Sequence, residues 1–365
     1  MEFFRSIPIW KTLWHIGLSL IAVINVCCAA SELNTAGIQD RDHFYVGYTI
    51  LDLNLGDSQG NNTLTVAVWY PTGELPRSYT YGGPTEGKVA TNAKPYSQQG
   101  PYPLLIFSHG YGGSGLGSVF LTEPLAARGW IVVAPDHHDR HSAVRIGSGQ
   151  NEQFDRQGFL RHAREISNSG PGDRNKYLYR VDEIKQVLDQ ILQSKPFRDL
   201  IDKDRIAVGG HSFGGYTALG LCGTIDKYRD DRIKGLLLYS TGAGGYLYRE
   251  KELARVNIPS MYFLGERERN QKRGAKTMAE LADKVYRNLP PPKYLLEIKG
   301  ANHFSFNNRF THKRSARWLS GTEEQFEVIR RYSIAFLKKH FAEKDGQDGV
   351  LKQQDALITR YLKEF

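Results

Sequence analysis

The chain has 365 residues, 40% hydrophobic and 24% charged, the proportions of an ordinary globular protein and not of a collagen, a coiled coil or a disordered polymer. A formal charge of +9 draws the molecule towards anionic surfaces. No basic run interleaved with aromatics and no nucleic-acid module can be read, which argues against nucleic acid as a partner.

Residues 1–30 read as a signal peptide: Arg5 and Lys11 are basic, Ile16 to Val26 is apolar, and Cys28-Ala29-Ala30 ends in small residues. The apolar run falls short of the ~20 residues a spanning helix needs. The expectation is an exported protein, periplasmic or secreted, with an uncleaved membrane anchor as the alternative. Beyond that segment Cys222 is the remaining cysteine, so no internal disulfide is expected. Residues 31–43 read as a polar linker.

Two strands are predicted at Val46–Leu53 and Leu64–Trp69, the second alternating Leu64, Val66 and Val68 against Thr65, Ala67 and Trp69. Residues 71–102, rich in Pro, Gly, Ser and Thr, read as loop. From Pro103 onward short apolar runs alternate with helix-length amphipathic stretches. The runs are Leu104–Phe107, Ile131–Ala134, Ile206–Val208, Leu236–Tyr239, Met261–Leu264 and Tyr294–Ile298; the helices are predicted near 118–128, 178–194, 214–223, 274–288 and 322–341. Apolar runs without alternation suit strands buried on both faces. Repeated strand–helix–strand units specify an α/β fold: a mostly parallel central sheet with helices on both faces, here with an antiparallel N-terminal edge. One domain over 44–342 follows. The polar stretch 140–177 reads as a long functional or disordered loop. Residues 343–365 read as a charged C-terminal tail, with a short amphipathic helix at Leu351–Leu362.

The chemistry centres on Asp204 to Ala218, which runs strand, Gly210-His211-Ser212-Phe213-Gly214, helix. A serine on such a turn is held above the sheet edge, and Gly210 and Gly214 leave room for the neighbouring strand and helix. The hydroxyl needs a base. His303, in Gly300-Ala301-Asn302-His303-Phe304 after the predicted last strand, Lys293 to Ile298, stands where the Ser–acid–His chain order puts it. The acid that orients His303 is expected after Met261–Leu264, in Gly265-Glu266-Arg267-Glu268: Glu268 first, Glu266 second. Oxyanion donors are expected from the backbone N–H groups of Phe213 and of Tyr111, in Ser108-His109-Gly110-Tyr111-Gly112-Gly113, with the Tyr111 ring covering the acyl site. Asp136-His137-His138-Asp139-Arg140-His141 carries metal-ligating residue types, but lacks a second cluster to complete a site, so neither metal nor other cofactor is expected. Arg309, Lys313, Arg314 and Arg317 form a basic stretch that is either a solvated face or a contact with anionic headgroups.

At these residues the chain resembles the platelet-activating-factor acetylhydrolase and dienelactone-hydrolase-like branch of the α/β-hydrolases, through Phe107-Ser108-His109-Gly110, His138-Asp139-Arg140 and Gly210-His211-Ser212-Phe213-Gly214-Gly215. The resemblance spans roughly 44–341. It implies calcium-independent ester hydrolysis through an acyl-enzyme, with Ser212 and His303 in their family roles and Tyr111 and Phe213 as oxyanion donors. The chain departs from the pattern at the acid. The acetylhydrolases take theirs from the end of the strand after the elbow helix, here Leu238-Tyr239-Ser240-Thr241, where no carboxylate stands. The acid position is similar instead to that of cutinase-like polyester hydrolases. Short-acyl, phospholipid-type and polyester substrates therefore stay open, beside amide, thioester or enol-lactone hydrolysis on the same triad and a non-catalytic binding protein. Oligomeric state is not legible.

Overall fold

The computed structural model describes residues 38–40, 43–56, 63–151, 153–273, 275–341 and 349–365. The predicted signal peptide lies outside these. The N-terminal strands are β1 (Ile38–Asp40), β2 (His43–Asn54) and β3 (Thr63–Thr72), followed by β4 (Arg77–Gly82), β5 (Thr85–Thr91) and β6 (Tyr102–Ser108). Then come α1 (Val119–Ala126), β7 (Ile131–Pro135), the short pair β8 (Val144–Arg145) and β9 (Gly149–Gln150), α2 (Arg156–Asn168) and α3 (Leu178–Ile191). The elbow joins β10 (Ile201–His211) to α4 (Phe213–Leu219), and β11 (Ile233–Tyr239), α5 (Gly242–Leu247), α6 (Glu250–Leu253) and β12 (Ser260–Gly265) follow. The chain ends with β13 (Lys272–Arg273), β14 (Lys276–Thr277), α7 (Met278–Asn288), β15 (Lys293–Ile298), α8 (Glu323–Phe341) and β16 (Ile358–Glu364).

One large sheet carries the molecule, in the order β16-β15-β12-β11-β10-β6-β7-β3-β2-β5-β4, with β1 on β2. Its centre, β15 through β7, is parallel; β3 and β2 add antiparallel strands at one side, as expected. The unalternating apolar runs have a direct cause. Leu104, Ile106, Val208, Leu236 and Leu238 enter one core, while Leu105, Phe107, Ala207, Leu237 and Tyr239 enter the core on the other face, so every side chain of the apolar runs Leu104–Phe107, Ile206–Val208 and Leu236–Tyr239 is covered. α3 lays Val181, Ile184, Val187, Leu188 and Ile191 on the first face, all fully buried; each such side chain contributes about 1.5–3 kcal/mol by leaving water. α1 and α8 cover the second face.

Several expectations are corrected. Residues 71–102 are not simply loop: β4 and β5 form an antiparallel hairpin turning at Gly82 and Gly83, whose φ angles are +145° and +53°. Tyr79 and Tyr81 of β4 pack on Tyr48, and Trp69 Nε1 donates to the Tyr81 hydroxyl at 2.8 Å. The stretch 140–177 holds the β8–β9 pair and the thirteen-residue helix α2, whose N-terminus is capped by Asp155 accepting from Gly158 N–H at 2.8 Å. The expected linker includes β1, paired antiparallel to β2. Over Leu351–Leu362 the C-terminal tail holds the end of a short 3-10 turn, Gly349–Lys352, and not the expected amphipathic helix. Instead β16 adds antiparallel to β15, Lys293 opposite Glu364 and Leu295 opposite Leu362. Ile358, Thr359 and Tyr361 favour a pleated surface, and the otherwise open edge of β15 supplies backbone partners that outweigh a short isolated helix.

Candidate active site

Ser212 sits between β10 and α4 with φ +54° and ψ −116°, a left-handed conformation that a non-glycine residue adopts only under constraint from its surroundings. The glycines explain how the turn closes. A Cβ on Gly210 would lie 2.3 Å from the Gly214 carbonyl carbon, and one on Gly214 would lie 1.9 Å from the Ser108 oxygen. The Ser212 amide donates to the Tyr239 carbonyl at 2.9 Å, locking the turn to β11.

His303 opens a short 3-10 turn capped by Asn302, whose side chain accepts from the Phe304 amide at 2.7 Å. Its Nε2 lies 2.9 Å from Ser212 Oγ. On the opposite side of the ring, Nδ1 lies 3.2 Å from Glu268 Oε1 and 2.6 Å from Ser240 Oγ, and the Ser240 hydroxyl is 2.5 Å from the same carboxylate oxygen. Glu268 is fully buried on the 3-10 turn after β12. Glu266 faces elsewhere and accepts from the Gly300 amide at 2.8 Å. Together with Arg267 N–H donating to Ala301 O at 2.9 Å, that bond ties the acid-bearing turn to the histidine-bearing loop. Of the two carboxylates weighed from sequence, Glu268 therefore meets the imidazole and Glu266 holds the scaffold.

The elbow and the histidine loop are also joined directly. His211 Nε2 lies 2.8 Å from the His303 carbonyl oxygen, and Asn307 Nδ2 lies 3.2 Å from His211 Nδ1. The carbonyl requires a proton on Nε2 and the amide donor requires a lone pair on Nδ1, so the neutral ring fills both places. Burial, reinforced by His303, pushes the His211 imidazole down to about 3 from its ordinary 6.5. Because the folded value is depressed, the stability this ring contributes is present above about pH 6.5 and is lost as pH falls towards 3, at about 1.4 kcal/mol per pH unit. His211→Gln supplies a similar donor and acceptor without the titration. Its unfolding free energy is expected to fall less steeply than the wild type's between pH 6.5 and 4, as denaturant titrations at several pH values would measure.

The loop after β6 lies against the elbow: a Cβ on Gly110 would be 3.1 Å from the Ser212 Cβ. It is held from below by a buried ion pair. Arg180, fully buried on α3, donates to both Asp139 oxygens at 2.7 and 2.8 Å and to the His109 carbonyl. Asp139 in turn accepts from the Gly112 amide and the Tyr179 hydroxyl, each at 2.8 Å. The guanidinium also lies 5.0 Å over the Phe213 ring. Both backbone positions expected to supply oxyanion donors, Tyr111 and Phe213, thus rest on one cation. Phe213 is the first residue of α4, so its amide is among those a helix leaves without an internal partner. Replacing Arg180 with Met would leave Asp139 charged and buried. The expected loss is about 3–5 kcal/mol of unfolding free energy, measured by denaturant titration.

The Tyr111 ring packs on α2: it stacks on Phe159 at 5.4 Å and its hydroxyl lies 2.6 Å from His162 Nδ1. The cluster weighed as a metal site is committed to other partners. Asp136 accepts from the Ser114 hydroxyl and from the Gly115 and Ile146 amides, each at 2.7 Å. His137 bridges Glu183, at 2.6 Å, and Ser108 Oγ, at 2.8 Å, while His138 Nδ1 lies 2.8 Å from Glu183. Burial raises the Glu183 carboxyl, but the two imidazoles outweigh it and draw it down to about 2. Among the described residues no group of three or more His, Cys, Asp or Glu is arranged to hold a metal. Sequence reasoning missed Ser240, Arg180 and Glu183. Arg180 and Glu183 lie on a stretch predicted as an amphipathic helix with no role for its charged residues, and Ser240 lacks the carboxylate that was sought at that strand end.

Comparison with known proteins agrees with this architecture. The chain is 26% identical over 307 residues to the platelet-activating factor acetylhydrolase of Cavia porcellus and 27% identical over 309 residues to that of Canis lupus familiaris, in each case over 74% of this chain. It spans 65% and 64% of those proteins' lengths. A ferulic acid esterase from Streptomyces cinnamoneus superposes with a TM-score of 0.61 at 20% identity, covering 88% of this chain and 96% of that one, and so shares the fold. Residues 78–194 and 176–358 match the model of the platelet-activating factor acetylhydrolase, isoform II, family, and the chain belongs to that family.

Proposed function

We propose that the protein hydrolyses carboxylic esters through an acyl-enzyme on Ser212, with His303 as base and Glu268 as the acid behind it. The 2.9 Å approach of His303 Nε2 to Ser212 Oγ carries this reading. As Oγ attacks the ester carbonyl, its proton passes to Nε2. The oxygen that becomes an anion is stabilised by the Tyr111 and Phe213 amides. Collapse of the intermediate expels the alcohol, which takes the proton from Nε2. Water then repeats the sequence against the acyl-enzyme, releasing the carboxylic acid and restoring Ser212. The charge of Glu268 favours the imidazolium that forms at each step.

The names of the relatives point to an acetyl ester on a phospholipid as one substrate class; short acyl esters and polyesters are the others. The test is a panel of p-nitrophenyl esters from acetate upward, an acetylated phospholipid, a polyester film, a thioester, an amide and an enol-lactone, run with fluorophosphonate labelling. Hydrolysis of oxygen esters with label on Ser212 is expected. Absence of both label and ester hydrolysis would favour a binding protein.

We also propose export, and contact with anionic headgroups through the surface beside His303. Lys313, Arg314 and Arg317 are exposed there; Trp318 is 56% exposed, and its ring meets Phe304 edge-on at 5.0 Å. No helix of the described residues is long and apolar enough to cross a membrane. Salt-sensitive sedimentation with anionic vesicles, and the N-terminal sequence of the mature protein, test these two points.

A further inference from the structure

We infer that Ser240 is a positioning residue that carries the hydrogen bond between His303 and Glu268 and fixes the proton of the imidazole on Nδ1. The inference rests on the reading that Ser212 and His303 hydrolyse esters, and concerns how the base is held.

The donor inventory leaves little freedom. Ser240 Oγ is fully buried, with Glu268 Oε1 at 2.5 Å and His303 Nδ1 at 2.6 Å. An ionised carboxylate only accepts, so the single hydroxyl proton of Ser240 goes to Glu268. The serine oxygen then offers lone pairs to Nδ1, which must be the protonated nitrogen. Nε2 is left with its lone pair towards Ser212 Oγ, as a base requires. The direct Nδ1–Glu268 separation, 3.2 Å, is the longest side of this triangle, so the shorter route runs through the hydroxyl. Hydrogen bonds linked in this way polarise one another in a buried site, which passes the carboxylate's charge on to the imidazolium.

The backbone argues that the hydroxyl is the reason for a serine here. Ser240 has φ +48°, held by its amide donating to Phe263 O at 2.7 Å. Glycine occupies that region without strain. A side chain at this position opposes the local conformation, and its hydroxyl meets the imidazole and the carboxylate.

That conflict supplies the test. Ser240→Gly removes the hydroxyl while relaxing the backbone, so a structural role and a positioning role move in opposite directions. The expected result is an unfolding midpoint equal to or above that of the wild type. kcat on p-nitrophenyl acetate should fall on the order of 10- to 100-fold, as for loss of a buried hydrogen-bond partner, with KM little changed. Ser240→Ala, which keeps the Cβ, should show the same loss of kcat. In Glu268→Gln, adding Ser240→Gly should lower kcat hardly further, because both residues act through one bond. Wild-type kcat in both Ser240 variants, or losses that multiply with Glu268→Gln, would overturn the inference. Ser212→Ala separates the two levels. If it is inactive while Ser240→Gly turns over normally, only the role of Ser240 falls; if it is fully active, the reading beneath falls as well.

Discussion

Ser212→Ala is expected to remove hydrolysis of p-nitrophenyl acetate almost completely, with a loss in kcat on the order of 10⁶-fold, as for other triad nucleophiles. The size follows from the chemistry. A methyl group has no lone pair to attack with, so the acyl-enzyme route closes, and only substrate binding and the oxyanion donors remain to assist direct attack by water. Little structural loss should accompany it. The Ser212 hydroxyl has His303 Nε2 as its partner, and the elbow is held by the Ser212 amide on Tyr239 and by Gly210 and Gly214 closing on the neighbouring chain, all of which survive the substitution. The unfolding transition should therefore stay close to that of the wild type while activity and fluorophosphonate labelling disappear. Initial rates at saturating ester, with the labelled band on a gel, give both readouts. Wild-type turnover in this variant would remove Ser212 from the mechanism.

What could be read in advance divides along a physical line. The parallel core was legible because Leu104–Phe107, Leu236–Tyr239 and their neighbours are buried on both faces, a condition that leaves an unbroken apolar signature in a single short run. Ser212 and His303 were legible because their positions follow from chain order on that core. The elements that were missed depend on partners far away in sequence. β16 forms because β15 has an open edge, and the β-favouring Ile358, Thr359 and Tyr361 become a strand only once that edge is there to pair with. α2 carries several arginines and is polar overall, with Phe159 turned to Tyr111 and Ile166 buried, so its polarity hid the helix although its amphipathic periodicity and the Asp155 cap were there to find. The β4–β5 hairpin was hidden by its own turn: Gly82, Gly83 and Pro84 lowered the reading for the whole stretch, while Tyr79 and Tyr81 carried the strand signal. Ser240 was looked at only for a charge it lacks. Its positive φ and its place between two side chains belong to tertiary structure.

Glu268→Gln is the second large effect, expected to cost on the order of 10⁴-fold in kcat, as loss of the orienting carboxylate does in other triads. The amide is nearly the same size and would sit in the same buried space, so the loss has an electrostatic and a hydrogen-bonding source. The charge that favours the imidazolium in the transition state is gone. One carboxylate oxygen, which accepts from Ser240 at 2.5 Å, or the other, 3.4 Å from the Gly265 amide, becomes an NH₂ group facing a donor. If the amide turns its nitrogen towards Ser240, the serine hydroxyl must reverse, and the proton on His303 is driven from Nδ1 to Nε2, where it blocks the base. The companion variant Glu266→Gln keeps an oxygen able to accept from the Gly300 amide and lies off the imidazole, so its kcat should remain close to that of the wild type. Measuring kcat and KM for both variants on one ester decides the assignment. The reverse ranking, with Glu266→Gln crippled and Glu268→Gln active, would mean that the histidine is oriented by a rearrangement of the turn that places Glu266, and not Glu268, behind the ring.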